Sequence, residues 1–151
     1  MKGIPLGTSP QLMSTLLKMG HGDEIVIADG NFPSESVGQN ATVIRADGLS
    51  CVQLLEIVTK FLPLDSYATP VVLMDPLPGD KARFPGGRPP IWARYGEIVN
   101  GAEGREVPVE AIGRFEFYER AKRAYAVIAT SETAIYANII LKKGVISNAR
   151  L

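Results

Sequence analysis

Met19-Gly20-His21-Gly22-Asp23-Glu24-Ile25-Val26-Ile27-Ala28-Asp29-Gly30-Asn31-Phe32-Pro33 joins a helix end, an apolar strand and a strand-end acid without a pause. Ile25 to Ala28 do not alternate with polar residues. That is the mark of a strand covered on both faces, as in a parallel sheet with helices above and below it. Gly30, Asn31 and Pro33 then turn the chain away. His21, the single histidine of the chain, sits between two glycines.

Upstream, Ser9-Pro10 supplies an N-cap oxygen and a first-turn proline. Leu12, Met13, Leu16 and Leu17 share one helical face, and Gly20 offers a C-terminal cap, so a helix is predicted over 10–19. Downstream, 42–45 is a short strand broken by Asp47-Gly48. Ser50 and Gln53 form a capping box for a helix that Pro63 stops. Residues 70–74 are a third buried strand. A long loop follows over 75–90, with five prolines and three glycines beside Lys81, Arg83 and Arg88. A helix over 91–100 closes at Gly101, and 106–110 forms a short strand. The helix predicted over 113–123 packs Phe117, Ala121 and Ala124 and turns Glu116, Glu119, Arg120 and Lys122 to water. Strands over 125–130 and 135–141 complete the chain.

Strands alternating with helices specify an α/β fold: three layers, α/β/α, around a largely parallel, Rossmann-like central sheet. No repeat or linker divides residues 1–151, so one domain is expected. Ligands in such sheets sit beyond the strand ends at a switch in strand order, and Asp29 lies at such an end.

Composition narrows the function. Lys plus Arg and Asp plus Glu are 16 each, so the formal net charge is +0. This argues against a nucleic-acid or anionic-membrane binder, and it leaves self-association unopposed. One cysteine, Cys51, permits no internal disulfide. With no apolar leader and no run near the ~20 residues of a membrane span, a cytoplasmic protein is expected. One histidine and one cysteine are not a zinc set, and no phosphate-binding glycine motif or nucleophile elbow occurs.

The residues themselves leave alternatives open. His21 follows a helix C-terminus, where the helix dipole favours a cation. It reads as a general acid or as a cap on the last carbonyls. Asp29 reads as a functional acid or as a cap on the next turn. Asp23 and Glu24 read as solvated turn residues. Cys51, in a first helical turn, reads as a small core residue or a reactive thiol. Arg114 opens a helix where the dipole disfavours a cation, which hints at a role other than stability. Tyr136 and Asn138, two apart on a predicted strand, share a face able to stack on and hydrogen-bond a polyol, or form an edge surface.

Several long blocks add to this. They are Gly20-His21-Gly22-Asp23-Glu24-Ile25, Asp29 with Phe32-Pro33, Arg45-Ala46-Asp47-Gly48-Leu49, and Leu64-Asp65-Ser66-Tyr67. Further along come Arg114-Phe115-Glu116-Phe117-Tyr118-Glu119-Arg120-Ala121 and the run 136–145. Over almost its full length the chain resembles the L-fucose mutarotase family, within the group that includes D-ribose pyranase. The resemblance implies a cofactor-free enzyme that interconverts the α and β anomers of a free sugar, L-fucose or a relative of it. It implies His21 as proton donor, with Asp29, Arg114, Tyr136, Ala137 and Asn138 binding the sugar. It also implies a ring-shaped homo-oligomer, often a decamer, with sites between subunits. Alanine at 137 is similar to the ribose branch, whereas the single histidine, Gly22 and Phe32-Pro33 side with the fucose branch. Ribose-type pyranose–furanose exchange and a non-catalytic sugar-binding accessory of a transport system are the competing expectations.

A straight strand over 24–29 spans about 17 Å at ~3.3 Å per residue, with His21 before it and Asp29 at its end. A monosaccharide cannot bridge that gap. Either the His21 loop folds back or the two residues meet across a subunit boundary, and the second is expected.

Overall fold

The structure is a computed structural model that describes residues 1–147. Its helices are α1 (Pro10–Lys18), α2 (Ser34–Val37), α3 (Cys51–Phe61), α4 (Pro78–Lys81), α5 (Ile91–Glu103) and α6 (Arg114–Ala121). Its strands are β1 (Glu24–Ala28), β2 (Thr42–Ala46), β3 (Val71–Met74), β4 (Val109–Ile112), β5 (Ala126–Thr130) and β6 (Ile139–Lys142). A short 3-10 turn lies at Pro85–Gly87.

The six strands form one sheet in the order β2-β5-β1-β6-β3-β4. β2, β5 and β1 pair in parallel, and so do β3 and β4. β6 runs antiparallel to both its neighbours, β1 and β3. The expected α/β/α layering and largely parallel sheet are present, with one reversed strand at the centre.

The two faces of β1 bury different cores. Ile25 and Ile27 face α1, α3 and α5, meeting Leu12, Leu54, Leu55, Tyr95 and Val99. Val26 and Ala28 face α2 and α6, meeting Val37, Phe117 and Ala121. Every residue from Ile25 to Ala28 is fully buried, which is why that run carries no polar alternation. Local chemistry starts the helices as read. Ser9 accepts from the Leu12 amide, and Ser50 and Gln53 make both bonds of a capping box.

Four expectations need correction. The helix over 91–100 continues past Gly101 to Glu103 and ends at Gly104, whose φ of 64° supplies the left-handed cap. The short strand over 106–110 lies later, at Val109–Ile112. The loop over 75–90 contains α4 and the 3-10 turn, and Lys81 pairs with Asp75 at 2.7 Å. Glu24 and Arg120 are not solvated: Arg120 Nη2 donates to Glu24 Oε1 at 2.7 Å, and Lys142 lies 3.5 Å from the same oxygen. This cluster pins α6 to the start of β1 and the end of β6.

Cys51 is fully buried beside Thr130, and burial pushes its thiol up to about 12. The core reading therefore holds over the reactive one.

Gly144 sits where a side chain has no room. A Cβ there would meet the Leu64 carbonyl oxygen at 2.6 Å and Asp65 Cα at 2.8 Å. Gly144→Ala is expected to destabilise the fold by about 1–3 kcal/mol through overpacking, read as a lower urea midpoint with an unchanged slope.

Candidate active site

The reversal of β6 brings the site together. Its N-terminal start lies at the same sheet edge as the C-terminal ends of β1, β3 and β4. Asp29 leaves β1 at that edge, α4 follows β3, Arg114 follows β4, and residues 136–138 lead into β6. A cleft of about 270 Å³ opens there, with Asp29, Arg114, Tyr136 and Asn138 in its wall.

Asp29 and Asn138 form its floor. Asn138 Nδ2 donates to Asp29 Oδ2 at 3.0 Å, and the Asp29 amide donates to Asn138 Oδ1 at 2.8 Å. The other Asp29 oxygen accepts from the Asn31 amide at 3.0 Å. Asp29 therefore caps the next turn and faces the cleft at once. Both residues are buried. Burial raises the Asp29 carboxyl above its ordinary value, while the amides of Asn31, Ala137 and Phe32 and the Asn138 side chain pull it part of the way back.

Residues 136–138 do not belong to the strand. β6 begins at Ile139, so the alternation expected to aim Tyr136 and Asn138 is not what aims them. Tyr136 takes φ 57°, the single positive φ among the described non-glycine residues. Trp92 Nε1 donates to its carbonyl at 3.1 Å, and the Tyr95 hydroxyl donates to the Ala137 carbonyl at 2.7 Å. Two residues one turn apart on α5 thus hold consecutive carbonyls of the kink. Ala137 itself is fully buried, so its amide serves Asp29 while its side chain faces the core.

Arg114 reaches the cleft from the first turn of α6. Its Nε is buried without a hydrogen-bond partner, and its guanidinium carbon lies 4.9 Å from the centre of the Phe115 ring. Tyr118, four residues on, joins the same wall and stands edge-on to Phe32 at 5.5 Å. Sequence reasoning missed Tyr118, although the i, i+4 spacing from Arg114 predicts a shared face. It also missed Asp80 and Arg83 on the rim, because α4 is too short to carry a periodic signal.

His21 is not in this cleft. It lies at the opposite sheet edge, before β1, where the Gly22 amide donates to the Lys143 carbonyl at 2.8 Å. Its Nε2 is 3.2 Å from Asp65 Oδ1, its ring is 5.6 Å from Tyr67, and its side chain is 47% exposed. Burial pulls the Asp65 carboxyl upward, but the Tyr67 amide and His21 outweigh this and leave it below its ordinary value. A carboxylate only accepts, so Nε2 carries the hydrogen in this contact and Nδ1 points elsewhere. Asp65 was quoted in the sequence blocks without a role; its chemistry is visible only once the fold sets it beside His21. Among the described residues no three His, Cys, Asp or Glu side chains gather closely enough to hold a metal. No helix among them is long and apolar enough to cross a membrane.

With this geometry in place, comparison with known proteins is decisive. Residues 2–146 match the RbsD / FucU transport protein family. The chain belongs to the RbsD / FucU family. A family relative, the fucose mutarotase of Mus musculus, is 53% identical over 146 residues, covering 95% of this chain and 94% of that protein. Another, the fucose mutarotase of Streptococcus pneumoniae in complex with L-fucose, superposes with a TM-score of 0.88 at 43% identity. That match covers 97% of this chain and 100% of the other. The RbsD of Bacillus subtilis complexed with D-ribose shares the family fold at a TM-score of 0.68 and 23% identity, over 97% of this chain and 99% of the other.

Asn138→Ala removes a donor to the Asp29 carboxylate and the acceptor of its amide. The Asp29 carboxyl then moves further up. The fold is expected to lose about 1–3 kcal/mol at neutral pH. A raised carboxyl binds its proton more tightly in the folded chain than in the unfolded one, so its burden on stability lifts as pH falls through the raised value. The deficit should therefore shrink in urea melts taken at successively lower pH, and a deficit flat with pH would contradict this role for Asn138.

Proposed function

We propose that the protein is a sugar mutarotase that interconverts the α and β anomers of L-fucose, or of a closely related free monosaccharide, by acid–base ring opening and closure. The observation that carries this reading is the cleft. A buried carboxylate and amide, a phenol and a guanidinium converge on a space just below the roughly 300–1,000 Å³ range of drug-sized ligand sites, with aromatic rings beside them. Its acids, Asp29 and Asp80, balance its cations, Arg83 and Arg114, which suits a neutral polyol. The mouse relative is a fucose mutarotase and the Streptococcus pneumoniae relative is bound to L-fucose, and both cover nearly the whole chain.

Anomer exchange moves protons and no electrons. The anomeric hydroxyl loses a proton as the ring oxygen gains one, C1–C2 rotates in the open aldehyde, and closure on the other face reverses the transfers. His21 is the proton donor. Asp65 holds Nε2 and stabilises the ring when it is cationic, so Nδ1 gives and takes the proton. Asp29, Arg114, Tyr136, the Ala137 backbone and Asn138 bind and orient the hydroxyls. His21→Gln should lower the exchange rate of L-fucose by about 10²–10⁴-fold, read by saturation-transfer NMR, with the melting transition kept. A folded variant with near-normal exchange removes the donor role. Faster pyranose–furanose exchange on D-ribose than anomer exchange on L-fucose would assign the ribose-type reaction instead. Binding of L-fucose without faster exchange would leave a sugar-binding accessory of transport.

His21 and Asp29 flank β1 at opposite ends, and the described chain does not fold the His21 loop back. We infer that the site is shared: His21 of one copy meets the Asp29 cleft of the next, within a ring of identical subunits such as a decamer. The exposure of Tyr67 beside His21 and of Phe115 beside Arg114 supports contact surfaces at both places. Co-expressed His21→Gln and Asp29→Ala chains should then regain activity that neither has alone, because mixed assemblies contain intact composite sites. Active monomers, or no complementation in proven mixed assemblies, would overturn the shared site.

A further inference from the structure

Tyr136 is held from its hydroxyl as well as from its backbone. The hydroxyl donates to Asp80 Oδ2 and accepts from the Leu77 amide at 3.3 Å. Asp80 is in turn 3.3 Å from Arg83, and the Phe84 ring stands edge-on to the Tyr136 ring at 6.2 Å. Leu77, Asp80, Arg83 and Phe84 all come from the proline-rich passage that the sequence presented as a loop.

A phenol has one hydrogen to give and two lone pairs to fill. Here the hydrogen goes to Asp80 and one lone pair to Leu77. Taking the cleft as a sugar site, what Tyr136 can offer a ligand is the remaining lone pair. We propose that Asp80 is a positioning residue of the sugar site: it fixes the Tyr136 phenol and turns its hydrogen away, so that Tyr136 meets the sugar as an acceptor of a hydroxyl hydrogen. Asp80 acts through the phenol, and α4 carries it to the cleft rim. An aspartate accepts only, so it commits the phenol to one orientation, whereas water would leave the hydroxyl free to rotate. Arg83 and Arg114 are the cations that face that carboxylate. The Tyr136 hydroxyl holds Asp80 below its ordinary value, and the arginines add to this.

The contact can be tested without sugar. In protein carrying ¹³C at the tyrosine Cζ, the Tyr136 signal is assigned by its loss in Tyr136→Phe. Burial and then Asp80 raise this phenol, so Asp80→Ala should make it titrate at lower pH. A Tyr136 signal that titrates alike in both proteins overturns the proposal at its base. The role is tested by a double-mutant cycle on L-fucose affinity, measured by NMR titration. Asp80→Ala should weaken binding about tenfold in the parent protein and less than twofold in the Tyr136→Phe background. Asp80→Asn, which keeps an acceptor, should stay within about threefold of the parent. Asp80 is a third exposed, and an unchanged melting transition certifies each variant. Equal losses in both backgrounds end the proposal while leaving the mutarotase reading intact. A parent protein that neither binds L-fucose nor speeds its exchange ends that reading instead.

Discussion

The reciprocal pair between Asp29 and Asn138 is the contact on which the site depends. Each residue gives the other a hydrogen bond across the β1–β6 seam. A buried carboxylate without such partners costs several kcal/mol or gives up its charge. Here burial raises the Asp29 carboxyl, and one side chain and three backbone amides, all supplied by the segments that flank the cleft, offset part of that cost. The same bonds that make the acid tolerable therefore lock the turn after β1 to the kink before β6.

Around that seam the two sheet edges carry opposite chemistry. At one, burial raises Asp29; at the other, Asp65 is held below its ordinary value beside the exposed His21. The first edge is a walled cleft, the second an open corner with Tyr67 standing out to solvent. A strand of ordinary length separates them, and no rotamer change closes such a gap. The proposal of a shared site rests on this strand geometry first and on the exposed Tyr67 and Phe115 second.

Much of this was legible in the residues. The non-alternating run after Glu24 specified a doubly covered strand, and Ser9-Pro10 and Ser50 with Gln53 specified helix starts, because capping and burial are local signals. The distance between His21 and Asp29 could be counted along β1. What failed was tertiary. Ile135 to Leu141 has the apolar character of a strand, yet Trp92 and Tyr95 claim two of its carbonyls and bend it at Tyr136. Gly101 looked like a helix stop, but α5 runs through it to Gly104, where the left-handed turn is made. Glu24 and Arg120 read as solvated until the sheet brought α6 over β1. Asp65, Asp80 and Tyr118 gained meaning only from neighbours distant in the chain.

The reversed strand at the centre of the sheet also governs how the molecule can be made. β2-β5-β1 and β3-β4 are joined through β6 alone among the described strands, and β6 is the last of them to leave the ribosome. Without β6 the strands on either side would share an open seam of unpaired backbone, an edge that invites mispairing. Closing it is a long-range event, of the slow kind for chain topology. The cleft lies on that seam, so β6 must be in place before a ligand held there could lend its binding energy to the fold.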